Sequence, residues 1–333
     1  MKKDYTLYYW ASDLRNNTGE GILAKRFLFD IKKYRQNSIL INTNKYQSNY
    51  KTFYHKYFIN FFGAIKLWKY YLKGYKTVFI NYLPIWNFLI FLILPPKTIL
   101  GPITGTLLYN KYSVFDTFRR GILLNILNSI SLIIIFFRYE KFLFSTELLK
   151  TCIKKNNLKK CYFNYALQLF EGFQRTKKKD VDFLIYHRIH KNKNNNIIKD
   201  FIINSREQKF KIIVIGDPIN FKGVRNMGYV SRNKIKELLV KTKYTFGSSE
   251  NLYTLFVLDA IARNVTVFYD KNLKKFNTKI KFSKLISVDF YDTLKTTKYI
   301  INKIYNFKKN KKNDFFNKNN YEQYFKQNIY LPR

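Results

Sequence analysis

Ser248-Ser249-Glu250-Asn251 follows a short strand-like run and opens a segment that reads as a helix, Leu252 to Ala262, with Tyr253 and Thr254 in its first turn. The N–H groups at a helix start have no partners within the helix, and with the positive end of the helix dipole they favour a phosphate or diphosphate. Asp259, two turns along, can project to a ribose or sugar hydroxyl. Asn264 falls just past the helix end, where φ > 0 is wanted and Asn tolerates it. Upstream, Tyr186-His187-Arg188-Ile189-His190-Lys191-Asn192-Lys193 closes another strand-like run with a cationic cluster. Ligands of open parallel sheets bind beyond the carboxyl ends of the strands, so Arg188 and Lys193 are placed to clamp phosphate oxygens. Between the clusters, Ile213 to Asp217 runs towards Met227-Gly228-Tyr229-Val230-Ser231 and a helix over Asn233 to Val240.

The elements that must hold these residues alternate. Asp182 to His187, Phe210 to Gly216, Thr245 to Gly247 and Val265 to Tyr269 read as strands, with helical stretches between them, one ending near Asp200 to Asn204. The first half repeats the scheme: a strand over Tyr5 to Trp10, a polar turn holding Gly19 and Gly21, and a helix from Ile22 to Tyr34 with Leu23, Phe27 and Ile31 at helical spacing. Strands follow over Ser38 to Asn42, Lys76 to Asn81, Ile99 to Gly105 and Phe142 to Ser145. This order predicts an α/β chain of two doubly wound, parallel-sheet domains. The expected division is 1–170, then 180–308, then a basic C-terminal helix or tail over 309–333, with a linker between Asn164 and Asp180.

The balance of 61 Lys and Arg against 21 Asp and Glu leaves a formal charge of +40 on 333 residues. Nucleic acid, an anionic membrane face and phosphorylated small molecules are the partners such a charge suits. Lys, Asn, Ile, Phe and Tyr are over-used together and share A/T-rich codons, so compositional bias accounts for much of the Lys excess equally well. Cys152 and Cys161 and the histidines show no metal-ligand spacing, so no metal is expected, and a reducing cytoplasmic compartment fits. Two apolar segments, Leu83 to Leu94 and Ile122 to Phe137, are too short or too interrupted to span a bilayer. Arg119, Arg120, Arg138 and Lys141 flank the second, a pattern suited to an anionic membrane interface, although buried helices are the simpler alternative.

The ordered motifs of the second half resemble the donor-nucleotide domain of GT-B-fold glycosyltransferases, most closely the retaining enzymes of glycosyltransferase family 4. Arg188 and Lys193 keep that family's Arg-x4-Lys spacing, with His187 where the family has Gly. Gly216-Asp217, Met227-Gly228-Tyr229-Val230 and Leu258 to Val267 match its later motifs. The resemblance implies two Rossmann-like domains facing across a cleft. It also implies that Arg188 and Lys193 bind the diphosphate of a nucleotide sugar, that Tyr229 and Ser249 lie on the donor side, and that Asp259 holds the ribose. Asn251, eight positions before Asp259, or Glu250, one residue earlier, stands at the family's catalytic acidic position. Gly19 and Gly21 would approach the donor phosphates, and Thr104 and Gly105 would contact the acceptor.

The leading expectation is a sugar transferase, without cofactor, moving a glycosyl group from a nucleotide sugar to a lipid-linked or glycan acceptor, peripherally bound at the inner face of the cytoplasmic membrane. A non-catalytic membrane-surface protein of the same fold is the alternative. Basic and aromatic residues are dispersed along the chain rather than gathered in a recognised module, so a nucleic-acid partner is not expected.

Overall fold

The computed structural model describes residues 6–16, 18–34, 37–41, 53–81, 83–105, 122–174, 178–189, 196–249, 251–276, 280–306, 315–316 and 321–326. Arg119, Arg120, Lys193 and Glu250 lie outside the described residues. The chain divides into two compact units, one of residues 1–168 with 319–333, the other of residues 169–318.

The first unit runs β1 (Leu7–Trp10), α1 (Gly19–Tyr34), β2 (Ser38–Leu40), α2 (Phe53–Leu72), β3 (Lys76–Phe79), α3 (Phe88–Ile93), β4 (Ile99–Leu100), α4 (Leu124–Arg138), β5 (Phe142–Leu143), α5 (Lys155–Leu158) and β6 (Cys161–Tyr162). Its strands lie in the order β2-β1-β3-β4, all parallel. Past β4 the chain stays extended, and Ile103 N–H donates to the Leu143 carbonyl at 2.7 Å, which brings β5 and then β6 alongside. In α1 the predicted spacing puts Leu23, Phe27 and Ile31 on the buried face, and Thr18 Oγ1 accepts from Gly21 N–H at 3.0 Å to satisfy one free donor of the first turn.

Two apolar stretches behave differently from their plain reading. Leu83 to Leu94 is helical over Phe88–Ile93 alone, because Ile85 N–H is drawn to the Thr104 carbonyl at 2.8 Å and Asn87 N–H to that of Pro84. In α4, Asn128, Ser131, Leu132 and Ile135 form the buried side, while Ile126, Ile130, Ile133 and Phe137 are exposed. This helix therefore turns Asn128 and Ser131 inwards beside Leu132 and Ile135, and an apolar stripe outwards. The sequence reading does not anticipate α2, whose aromatic residues occupy both faces and blur the period. Ile59, Ala64 and Leu67 face its core, and Phe62, Ile65 and Leu72 are exposed.

The C-terminal segment is not the peripheral tail expected. A short helix α10 (Glu322–Phe325) belongs to the first unit. Tyr324 is fully buried and its hydroxyl donates to the Leu100 carbonyl at 2.7 Å, while the Phe325 ring packs on Phe27 and stacks on Tyr34. Tyr321, Tyr324 and Phe325 are thus core material, which their Lys- and Asn-rich surroundings conceal.

The second unit runs β7 (Val181–His187), α6 (Asn196–Asn204), β8 (Ile212–Gly216), β9 (Val224–Asn226), α7 (Arg232–Val240), β10 (Thr242–Phe246), α8 (Leu255–Ala262), β11 (Thr266–Asp270), β12 (Ile280–Lys281), β13 (Leu285–Val288), α9 (Thr293–Tyr305) and β14 (Phe315–Phe316). Six parallel strands lie in the order β13-β11-β10-β7-β8-β9. From β7 the chain steps outwards to β8 and β9, then returns to place β10 on the other side of β7. The sheet reverses direction between β7 and β10, which makes their carboxyl ends the switch point where open α/β sheets take ligands. Alternate residues Phe183 and Ile185 of β7 join Phe201, Val214, Phe246 and Phe268 in the core on one face.

Candidate functional site

His187 is the last residue of β7, and its backbone carbonyl accepts Asp217 N–H at 3.0 Å, carrying the ladder one step past the strand. Its ring Nδ1 lies 2.9 Å from the Asp217 carbonyl. The adjoining Gly216 has φ +91° and sits so close that a Cβ there would be 2.2 Å from the His187 carbonyl oxygen. Glycine is the residue this turn admits. Gly216 N–H in turn donates to the Gly228 carbonyl at 2.8 Å, so the loop after β9 is drawn across the end of β8.

The Asp217 carboxylate completes the turn. Its Oδ1 accepts the Tyr229 hydroxyl at 2.6 Å and its Oδ2 accepts Ile189 N–H at 2.5 Å. The Tyr229 hydrogen bond, then that of Ile189, with the charge of Arg188, hold this carboxyl below the usual carboxylate range. Arg188 therefore stands between two pinned residues with its side chain exposed, at the switch point, beside Tyr229. Tyr186 ties the same strand end to α8, its ring centroid 5.6 Å from that of Phe256.

Beyond β10 the chain forms a loop through Ser249, which is buried, to Asn251. Asn251 turns its Oδ1 inwards to accept Tyr253 N–H at 2.9 Å, which leaves its amide nitrogen as the part able to reach a ligand. Thr254 is the N-cap of α8, accepting from Val257 N–H at 3.3 Å. The helix thus begins after Tyr253 and Thr254, three residues later than the sequence reading places it, because the hydroxyl of Thr254 satisfies the first turn. At its other end Asn264 has φ +56°, as expected.

Asp259 is 2% exposed and grasped by a residue that the sequence reading passes over. Arg232, at the start of α7, donates through Nε to Oδ2 and through its terminal nitrogen to Oδ1, both at 2.9 Å. Arg263 and Glu171 extend the network, with Arg232 and Arg263 each 3.6 Å from Glu171. Lys236 also pairs with Glu171. Burial raises the Glu171 carboxyl, but the Lys236 ammonium, Arg232 and Arg263 outweigh it and hold it below its ordinary value. Arg232 lies three residues after Tyr229, so the strand-end turn at Arg188 and the Asp259 network are consecutive parts of one short loop and helix.

The remaining expected site residues lie in the first unit. Gly21 is buried where a Cβ would be 2.3 Å from the Arg15 carbonyl oxygen, whereas Gly19 faces open space. The loop before them is organised by Asp13, fully buried, which accepts Arg15 Nε at 3.0 Å, the Arg15 terminal nitrogen at 2.9 Å and Thr18 Oγ1 at 2.9 Å. Burial raises the Asp13 carboxyl, and the bonds from Arg15 and Thr18 overcome it and hold it low. Asn81, at the end of β3, donates to the Asp13 carbonyl at 2.6 Å and accepts from Ser12 N–H at 2.9 Å. Asp13 and Asn81 escape a sequence reading because only the pairing of β1 with β3 brings them together. Thr104 uses its backbone to bridge Leu83 and Ile85, and a Cβ on Gly105 would meet Leu149 at 2.5 Å. Among the described residues no three His, Cys, Asp or Glu side chains gather as metal ligands.

No family model matches the chain, and no curated protein matches it. Among solved structures, a candidate UDP-N-acetylglucosamine 2-epimerase of Listeria monocytogenes superposes with a TM-score of 0.53 at 8% identity, over 91% of this chain and 88% of that one. A UDP-GlcNAc 2-epimerase of Methanocaldococcus jannaschii, in complex with UDP-GlcNAc and UDP, gives 0.48 at 13% identity over 94% and 95% of the two chains. A glycosyltransferase of Rickettsia africae gives 0.44 at 12% identity over 91% and 89%. The likeness to the Listeria protein, with the two parallel sheets described above, shows the fold: two Rossmann-like α/β domains of the GT-B type.

Proposed function

We propose that this chain transfers a glycosyl group from a nucleotide sugar, held by the second unit, to a lipid-linked or glycan acceptor at the cytoplasmic face of a membrane, with retention of anomeric configuration. The observation that carries the reading is Arg188, an exposed guanidinium whose two neighbours are both pinned, at the switch point of a parallel sheet. A cation carried on a held stretch of backbone there suits a diphosphate leaving group, whose developing charge it neutralises, while the protein otherwise works by positioning. Lys193, five residues on in the sequence, is the second cation that the resemblance implies. Asn251 or Glu250 is the residue proposed at the transferred sugar. Asp259, already paired with Arg232, would reach the ribose with the lone pairs that Arg232 leaves unused. The Listeria protein of the same fold is named for a nucleotide-sugar substrate, which supports that ligand class.

The membrane part of the reading is supported by α4. Its outward stripe of Ile126, Ile130, Ile133 and Phe137 carries no charge, and Arg138 and Lys141 follow it. No helix among the described residues is long and apolar enough to cross a membrane, so the stripe fits a helix lying at the interface.

A thermal-shift panel of nucleoside diphosphate sugars tests the proposal, because a ligand of the native state raises its apparent stability. At least one should raise the unfolding temperature of the wild type and not that of Arg188→Ala. Failure of every nucleotide sugar to do so would overturn the reading. Incubation of the stabilising compound with extracted lipid acceptors then separates transfer, which frees the nucleoside diphosphate, from epimerisation, which keeps it attached.

A further inference from the structure

The ring of His187 poses a problem that its immediate surroundings leave unsolved. Nδ1 faces the Asp217 backbone carbonyl at 2.9 Å, and a carbonyl oxygen only accepts. Nδ1 therefore carries a proton, and in the neutral ring Nε2 is a bare acceptor. The residue is 2% exposed, and Nε2 meets no hydrogen-bond partner among the described residues. Buried polar atoms are nearly always satisfied, and an exception calls for an explanation. This one falls at the carboxyl end of β7, one residue before Arg188, at the switch point of the sheet.

We infer that His187 Nε2 accepts a hydrogen bond from a hydroxyl of the sugar carried by the nucleotide at Arg188, and so helps determine which sugar is accepted. The inference rests on the nucleotide-sugar reading of the site. With its proton on Nδ1, the ring offers a lone pair at Nε2, which repels a phosphate oxygen and attracts an O–H donor. Next to a diphosphate, a nucleotide sugar presents hydroxyls of that kind. Arg188 and His187 thereby divide the ligand, the cation taking the phosphates and the ring taking the sugar. The Nδ1 contact fixes the ring, and the Asp217 carboxylate, by holding Ile189 N–H, fixes the backbone just beyond it. The ligand hydroxyl adds one hydrogen bond and no group is transferred to the ring.

The geometry of the amides supplies the test. Asn at this position can place its NH2 where Nδ1 lies, keeping the bond to Asp217, but has nothing at Nε2; Gln reaches towards Nε2 instead. Calorimetric titration of the purified full chain would compare the tightest-binding nucleotide sugar of the panel with its own nucleoside diphosphate. His187→Asn should weaken the nucleotide sugar about fivefold to tenfold, the worth of one neutral hydrogen bond, while changing the nucleoside diphosphate by less than about twofold. His187→Gln should recover part of the loss. Arg188→Ala should weaken both ligands alike. If His187→Asn, with an unchanged unfolding temperature, lowered both affinities equally or neither, His187 would have no part in reading the sugar. If it lowered the unfolding temperature, His187→Gln carries the test: loss of sugar preference with Gln in place would likewise reject Nε2 as an acceptor. A wild type that bound no nucleoside diphosphate at all would instead overturn the reading of the site.

Discussion

Arg232 and Asp259 meet as a two-pronged pair, both bonds 2.9 Å long, with the carboxylate side chain 3% exposed and the guanidinium 23%. Removing Arg232 leaves the buried Asp259 carboxylate with only the more distant Arg263, 3.9 Å away, among the described residues. Arg232→Ala should cost about 3 kcal/mol of stability, measured by denaturant unfolding, and Asp259→Ala should lose less than the sum when combined with it. Equal and additive losses would show that the two residues act separately.

Gly216→Ala would set a Cβ against the His187 carbonyl in a left-handed turn with φ +91°. The loss should reach at least about 2 kcal/mol, and the strand-end turn should open with it. Amide exchange at Asp217 and Ile189 would report the opening, because both N–H groups are bonded within this turn.

Lys179 supplies a pH signature. Burial, and then the charge of Lys284, lowers its ammonium from 10.5 to about 7. Its Nζ donates to the Asn264 carbonyl at 2.5 Å and to that of Arg263 at 3.3 Å. Between those two pH values the unfolded chain holds the extra proton, so this residue makes stability rise with pH across the window and contributes no further pH dependence below it. Unfolding free energies at pH 6.5 and 9.5, wild type against Lys179→Met, should show the wild type gaining on the variant as pH increases. A constant difference would remove Lys179 as the cause.

The α4 stripe predicts binding to anionic vesicles. Ile133 and Phe137 are 70% and 91% exposed, so replacing both by Glu should leave the fold intact. Flotation with phosphatidylglycerol vesicles should nevertheless weaken at least about tenfold. Unchanged flotation would place the membrane contact elsewhere, and a change in oligomeric state of the pair variant would point to a second copy as the occupant.

Much of the second unit was legible in sequence because its strands are short apolar runs closed by polar residues, and Arg188 announces itself by standing directly after one. Asp259 was equally visible as an acid on an apolar helix. Its partner was not, since Arg232 lies 27 residues earlier and meets it only through the packing of α7 on α8. His187 reads as a departure from a family glycine until the register of β7 on β8 sets the Asp217 carbonyl against its ring. Periodicity found α4 but could not orient it, because apolar residues surround the helix and inward Asn128 and Ser131 contradict the usual sense. The short strands β6 and β9 carry too few residues to show a period, and α2 is aromatic on all sides.

The burial of Tyr324 and Phe325 in the first unit sets an order of assembly. Residues 169–318, the whole second unit, stand in the chain between α10 and the rest of the core it completes. During synthesis the first unit therefore waits, with Phe27 and Tyr34 lacking their last aromatic neighbour, until the second has left the ribosome. Nascent chains of this protein should be most vulnerable to proteases and most in need of chaperones late in translation, when one unit is finished and the older one is still open.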